Sequence, residues 1–259
     1  MNLPKKSLGQ HWLKDTQALE AIVEAAEIKP TDTVLEIGPG LGHLTQYLVG
    51  EAEHVVAVEL DEQLASRLLK RFAGKNISIH AENILEFDLT QLPEGYKVVA
   101  NIPYYLTSNL LQVLSESSNP PHLMVLLLQK EVAQRITAKP GSMSVLSVSV
   151  QLYYNTDLRI VVPAKLFEPP PKVDSQVVIL HRQTKPLFHD LDIDKFFNIV
   201  KAGFSERRKK LRSSLSGGLH ISKDQADELL QKAGIDGDLR AQNLSLRDWH
   251  RIYLASNLP

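Results

Sequence analysis

A run of β-formers that ends in glycines at three alternate positions limits what this chain can fold into more than any other stretch. Thr33-Val34-Leu35-Glu36-Ile37 runs directly into Gly38-Pro39-Gly40-Leu41-Gly42, and Leu41 to Val49 then reads as a helix. Such glycines let the backbone turn sharply between strand and helix and approach a ligand that a Cβ would exclude. The same rhythm continues. His54 to Glu59 reads as a second buried strand, Leu64 to Phe72 as a helix, Asn76 to Ala81 as a third strand, Lys97 to Asn101 as a fourth, Ser108 to Ser115 as a helix and Leu123 to Leu128 as a fifth strand. The alternation predicts an α/β fold with a parallel sheet. A helix with apolar Leu19, Ile22, Val23 and Ala26 precedes the first strand, opening at a cap on Asp15. Farther on, apolar and polar residues roughly alternate from Val145 to Tyr153 and from Val173 to Leu180, which predicts an antiparallel pair at one edge of the sheet.

After about residue 184 the period changes. Ile193, Phe196, Phe197, Val200 and Phe204 form a helical stripe, and Ser222 with Gln225 and Ser245 with Asp248 resemble capping boxes. The expected organisation is a domain over residues 1–184 and a small all-helical domain over residues 185–259, joined near His181 to Asp190. Charge divides the same way. The whole chain has a formal net charge of −1, but residues 1–180 carry 15 basic and 20 acidic side chains, and residues 181–259 carry 14 and 10. The densest basic field is Arg207, Arg208, Lys209, Lys210 and Arg212, suited to phosphates; on charge alone a solvated helix face is the plainer account. With no cysteine, a disulfide framework, a thiolate metal site and a cysteine nucleophile are excluded, and no histidine spacing suggests a metal site. The longest apolar run, Leu123 to Leu128, is too short for a bilayer, and residues 1–6 lead into no secretory core; a cytoplasmic protein is expected.

The glycine loop fits a dinucleotide fingerprint poorly, because His43 stands where the third glycine should fall and Pro39 lies inside the turn. It matches instead the E-x-G-x-G-x-G motif of S-adenosylmethionine-dependent methyltransferases. Glu59, at the end of the second strand, is placed to accept both ribose hydroxyl hydrogens, and Asn83, past the third, stands where an adenine amine would need an acceptor. Asn101-Ile102-Pro103-Tyr104 ends the fourth strand. An adenine amino group is a poor nucleophile because its lone pair is delocalised into the ring. A side-chain carbonyl from Asn101 and a backbone carbonyl from Ile102 or Pro103 can take its two hydrogens and localise that pair, Pro103 fixes the backbone, and Tyr104 offers a stacking face.

In these motifs the chain resembles the KsgA/RsmA family of bacterial 16S ribosomal RNA adenine dimethyltransferases. The likeness runs nearly end to end, through Leu8-Gly9-Gln10-His11-Trp12-Leu13, Leu128-Gln129-Lys130-Glu131-Val132, Phe167-Glu168-Pro169-Pro170-Pro171-Lys172-Val173-Asp174-Ser175, Phe204 to Leu215 and Arg240 to Ser245. The resemblance implies a Rossmann-like class I methyltransferase sheet, mostly parallel with an antiparallel edge, plus a C-terminal helical domain. It implies N6,N6-dimethylation of two adjacent adenines in the 3′-terminal hairpin loop of 16S rRNA, on an immature 30S particle, by a monomer using S-adenosylmethionine and no metal. Carried over by motif, the cofactor residues are His11, Leu13, Gly38, Gly40, Glu59, Asn83 and Asn101. The catalytic residues are Asn101, Pro103, Tyr104 and Phe167, the last as a second aromatic face for a base that must leave its stack. Phe167 as an ordinary core residue is equally compatible with the sequence.

His11 stands where the family often has Asn, and Asn83 where it has Asp, so weaker cofactor binding is expected, by about 1 kcal/mol for the lost charge at position 83. Arg207, Arg208, Lys209, Lys210 and Arg212 become RNA contacts in this view, with Lys5, Lys6 and Lys14 nearer the target. Three alternatives stay open: an Erm-type methyltransferase of 23S rRNA, a ribosome-assembly or transcription factor that keeps the fold without catalysis, and a small-molecule methyltransferase.

Overall fold

Residues 9–103, 106–189 and 191–256 are described by the computed structural model. Their contacts divide into two units, one made of residues up to Gln134 with Tyr154–Arg182, the other of Arg135–Tyr153 with the residues from Gln183 onward.

The first unit is built on a seven-stranded sheet in the order β4-β3-β2-β5-β6-β9-β7. Its strands are β2 (Thr33–Ile37), β3 (His54–Val58), β4 (Ile77–His80), β5 (Lys97–Asn101), β6 (Leu123–Gln129), β7 (Tyr154–Val162) and β9 (Ser175–Arg182). The five strands from β4 to β6 run parallel, and β9 and β7 are antiparallel to their neighbours. Helix α1 (Thr16–Ala25) precedes β2; α2 (Thr45–Glu51), α3 (Glu62–Arg71) and α4 (Thr107–Glu116) connect β2 to β3, β3 to β4 and β5 to β6, and α5 (Lys130–Ile136) follows β6. Near-continuous burial of Val34, Leu35, Val98 to Ala100 and Met124 to Leu128 is what a sheet covered on both faces requires. From β2 the chain winds one way to β3 and β4 and then returns to lay β5 and β6 on the other side. The crevice between the carboxyl ends of β2 and β5 is therefore the switch point where open α/β sheets bind ligands.

A two-stranded ribbon pairs β1 (Trp12–Leu13) antiparallel with β8 (Phe167–Glu168), Trp12 opposite Glu168 and Leu13 opposite Phe167. It carries the segment before α1 as a strap over the sheet's edge.

The second unit holds α7 (Ile193–Phe204), α8 (Leu211–Leu219), α9 (Lys223–Ala233) and α10 (Leu246–Ala255). Both expected capping boxes are present, at Ser222 with Gln225 and at Ser245 with Asp248. The antiparallel edge pair exists, but its first member is β7, not Val145 to Tyr153. That stretch is the helix α6 (Val145–Gln151), because Ser144 and Ser147 close a capping box, with Ser144 N donating to Ser147 Oγ at 2.6 Å. Met143, Val148 and Leu152, spaced five and four apart, then face the core formed by Phe196, Val200, Leu215 and Trp249. Alternation in Val145-Leu146-Ser147-Val148-Ser149-Val150 is thus coincidental with a helical stripe. A boundary drawn at residue 184 leaves this segment in the first unit; its contacts put it in the second.

Candidate active site

The three glycines of the loop between β2 and α2 adopt positive φ, 65° at Gly38, 59° at Gly40 and 78° at Gly42. Two of them answer to close neighbours. A Cβ on Gly40 would stand 3.0 Å from the Trp12 ring, and one on Gly42 would stand 2.8 Å from both Leu68 and Phe72. The loop is therefore keyed to the strap on one side and to α3 on the other. Together with Glu59, Asn83, Asn101, Pro103, His11 and Leu13 it lines a cavity of about 230 Å³ at the switch point.

Glu59 follows β3 and is buried. Gly40 N donates to its Oε2 at 3.0 Å and Asp61 N to its Oε1 at 2.9 Å. Burial pushes its carboxyl upward, and these backbone donors oppose the shift. Each oxygen keeps a lone pair for a further donor, which is the arrangement a vicinal diol needs. Asn83 accepts from Leu85 N at 3.1 Å through Oδ1 and donates through Nδ2 to Glu86 Oε1 at 3.1 Å. Its amide is thereby oriented by a carboxylate that the sequence did not single out.

Asn101 ends β5, and its Nδ2 donates to the His11 carbonyl at 3.2 Å. A carbonyl can only accept, so this bond fixes the amide and leaves Oδ1 as the group available to an incoming amine. Ile102 N donates to Leu127 O at 3.2 Å, tying the turn to β6, while Pro103 O accepts from Leu106 N at 3.0 Å and has one lone pair left. Tyr104 lies outside the described residues, as do Lys5 and Lys6.

The strap is fastened at several points. His11 Nδ1 donates to Pro169 O at 2.7 Å, His43 Nδ1 donates to Leu13 O at 2.9 Å, Gln10 Nε2 donates to Asp61 Oδ2 at 3.4 Å, and Lys14 is ion-paired with Glu168. Burial holds His43 below the usual imidazole range, so it sits there as a neutral donor. Phe167 is 4 % exposed and packs with Leu13, Leu19 and Val177 in the core; it is not on the cavity wall. The aromatic face expected of it is turned into the protein because pairing of β8 with β1 points Phe167 inward beside Leu13.

Glu36, the first residue of the glycine motif, was not expected to contribute more than its place in the pattern. It is 2 % exposed, borders the cavity, and its Oε2 has no hydrogen-bond partner among the described residues; the same holds for the neighbouring Thr45 Oγ1. Burial pushes its carboxyl up to about 8; the Thr45 hydroxyl, close by but without the geometry of a full hydrogen bond, draws it back and the Glu59 charge raises it further. No motif signals this, since the shift comes from depth and from a neighbour on another strand.

The donor set fits S-adenosylmethionine: Glu59 offers two acceptor oxygens for a diol, Gly38 and Gly40 carry no side chain to obstruct it, the Asn83 amide oxygen could face an adenine amine, and Glu36 with Glu59 makes an acidic corner for a cation. Among the described residues no group of three or more histidine or acidic side chains could hold a metal ion, and no helix is long and apolar enough to cross a membrane.

Of the five basic residues expected to meet RNA, three have carboxylate partners in their own unit. Lys209 pairs with Glu206 at 2.6 Å, Lys210 with Asp238 at 2.8 Å, and Arg212 with Asp227 at 3.4 Å and also with Asp238. Arg207 and Arg208 are exposed and have no ion-pair partner among the described residues.

Comparison with known proteins agrees with this geometry. A family model described as ribosomal RNA adenine dimethylase matches residues 1–257. A protein of Dehalococcoides mccartyi (strain CBDB1) called ribosomal RNA small subunit methyltransferase A is 44% identical over 255 residues, covering 96% of this chain and 87% of its own. One of the same name from Rippkaea orientalis is 43% identical over 266 residues, covering 96% of both chains. Among solved structures, a dimethyladenosine transferase from Plasmodium falciparum superposes with a TM-score of 0.80 at 28% identity, over 93% of this chain and 96% of that one. The 23S rRNA methyltransferase ErmE gives 0.76 at 28% identity, over 94% and 98%.

Proposed function

This chain belongs to the ribosomal RNA adenine dimethylase family, and on that premise we propose that it dimethylates two adjacent adenines in the 3′-terminal hairpin loop of 16S rRNA, on an immature 30S particle, as a cytoplasmic monomer. It is an S-adenosylmethionine-dependent rRNA methyltransferase. The cofactor, when bound, would supply an electrophilic methyl group to the amine nitrogen, which gives up one hydrogen as a proton.

The observation that carries the reading is the Asn101 amide. With Nδ2 held by the His11 carbonyl, Oδ1 is presented as an acceptor for an amine hydrogen at the end of β5. A backbone carbonyl of Ile102 or Pro103 takes the other. Both bonds strengthen as positive charge develops on nitrogen, so they favour the transition state over the ground state. A base can reach this place only by leaving its stack. Glu59 would hold the ribose of the cofactor and Asn83 its adenine amine, Gly38 and Gly40 would let it approach the backbone, and His11 and Leu13 would flank it. Tyr104 provides the stacking face. Phe167 acts through β8, holding the strap that carries His11; stacking on it would require its ring to leave the core. Arg207 and Arg208, and to a lesser degree Lys209, Lys210 and Arg212, meet RNA phosphates.

The fold likeness to a 23S rRNA methyltransferase supplies a second candidate substrate. Labelled methyl transfer decides between them, using 30S particles from cells lacking the modification against protein-free 23S rRNA, with mapping of the modified bases. Label confined to two adjacent adenines of the small-subunit loop is the expected result. Label in 23S rRNA, or none in the loop, would overturn the assignment.

A further inference from the structure

Glu36 has no part in the roles assigned above, and its position is unusual for an acid. It stands level with Ala57 in the pairing of β2 with β3. Glu59 lies two residues beyond Ala57, just past the end of β3, and its charge reaches Glu36. Both carboxyls therefore stand at one corner of the cavity.

Their surroundings differ. Glu59 accepts two backbone amide hydrogens, which hold an anion comfortably. Glu36 has an orphaned oxygen, and no Lys or Arg among the described residues is ion-paired with it. The titratable groups nearest it are Glu59 and, behind that, Asp61 from the cap of α3; Glu82, His11 and His43 also border the cavity, while Thr45 of α2 and Asn101 of β5 are uncharged. A buried carboxylate without a cation is costly, so Glu36 holds its proton until a positive charge arrives.

We propose that Glu36 is the pocket's counter-charge for the methyl donor's positive sulfur, giving its proton to solvent as S-adenosylmethionine binds and keeping it when uncharged S-adenosylhomocysteine is bound. The balance closes over one transfer. The first step exchanges a proton for a sulfonium; after methyl transfer the sulfur is neutral, the amine has released a proton, and Glu36 takes one up. The acidic corner thus grips the charged donor and loosens its hold on the spent one, which aids the cofactor exchange that repeated methylation needs. This deepens the cofactor-site reading and is independent of which RNA is methylated.

The test is calorimetric titration of the full chain with S-adenosylmethionine, S-adenosylhomocysteine and sinefungin, whose amine carries a positive charge near the place of the sulfonium. Each titration is run in two buffers of different ionisation enthalpy. Close to one more proton should leave with either charged ligand than with S-adenosylhomocysteine. Affinity for the methyl donor should rise by up to about ten-fold per pH unit below the Glu36 pKa, relative to S-adenosylhomocysteine. Contributions from the shared ribose and amino-acid groups cancel in that difference. Glu36→Gln should abolish it, as should Glu36→Met if the first variant does not fold; a difference that survives there belongs to Glu59 and overturns the proposal. Equal proton release for all three ligands would overturn the proposal, whereas absence of binding by any of them would instead overturn the cofactor site itself.

Discussion

Glu36 and Glu59 are two acids at one corner of the cavity whose different hydrogen bonding sets them apart, and the difference has a thermodynamic signature in the cofactor-free protein. With a native pKa of about 8 against an ordinary 4.5, Glu36 binds more protons folded than unfolded between those values. Stability is then highest below the ordinary carboxylate pKa and is lost as pH rises through 8. Glu36→Gln removes that loss, so it should match wild type near pH 4.5 and exceed it by about 2 to 4 kcal/mol at pH 8.5. Glu59, also shifted upward by burial, leaves a residual slope of the same sign. Urea denaturation at the two pH values checks this; parallel behaviour of both proteins would refute it. Asn83 offers a second residue-scale outcome. Restoring an acid there puts a carboxylate opposite Glu86, where Asn83 Nδ2 now stands 3.1 Å from Glu86 Oε1. Asn83→Asp alone should therefore gain little, while Asn83→Asp with Glu86→Gln should tighten S-adenosylmethionine binding about five-fold, or about 1 kcal/mol, by calorimetry. The sequence showed position 83 but not its partner, because a contact between Asn83 and Glu86 is a property of a turn and has no fixed spacing.

At the scale of elements, β5 presents Asn101 at one end and is anchored at the other by Lys97. That buried ammonium pairs with Asp32 at 2.8 Å and donates to the carbonyls of Ala26 and Glu27, at 3.0 and 2.6 Å, where α1 ends. Burial alone would raise Asp32, but the hydrogen bond and charge of Lys97 hold it below its usual range. One side chain thus satisfies the open end of a helix and fixes where a central strand begins. Lys97→Met should cost about 2 to 4 kcal/mol, since it leaves Asp32 without its buried counter-charge and two carbonyls without their donor, and thermal melting will read it. Parallel strands were legible as apolar runs between glycine turns, and helices as stripes with caps. Helix α6 was not, because a short segment of alternating Val and Ser satisfies both periods; the Ser144 cap and the reach of Met143 and Leu152 into a core assembled from distant residues decide it. The cofactor residues could be named from motifs. The strap's fastenings to Pro169, Asp61 and Glu168 could not, as they join positions up to 158 residues apart.

At the scale of the molecule, formal charge was a poor guide until the partners of each cation were known. Lys209, Lys210 and Arg212 already have acidic partners, so binding RNA means exchanging one partner for another. Neutralising Arg207 and Arg208 together should lower the salt slope of RNA binding by about 1.5, at about 0.7 to 0.9 per phosphate contact. Neutralising Lys210 and Arg212 should lower it less and reduce the melting temperature, because their bonds to Asp238 and Asp227 are lost. Equal slopes in the two double variants would contradict the division. The helical unit carries a further consequence for how the protein is made. Its core includes Met143, Val148 and Leu152 from the middle of the chain, worth about 1.5 to 3 kcal/mol each when fully buried. That sum is comparable to the whole stability of a small domain. Residues 183–259 expressed alone should therefore show helical far-ultraviolet dichroism without cooperative melting; a sharp transition would disprove it. During synthesis the same arrangement means that the middle segment emerges first and waits for partners about fifty to a hundred residues later in the chain. The surface bearing Arg207 and Arg208 takes its final form only once α10 has emerged, so a copy that stops short of it has no finished grip with which to occupy an RNA.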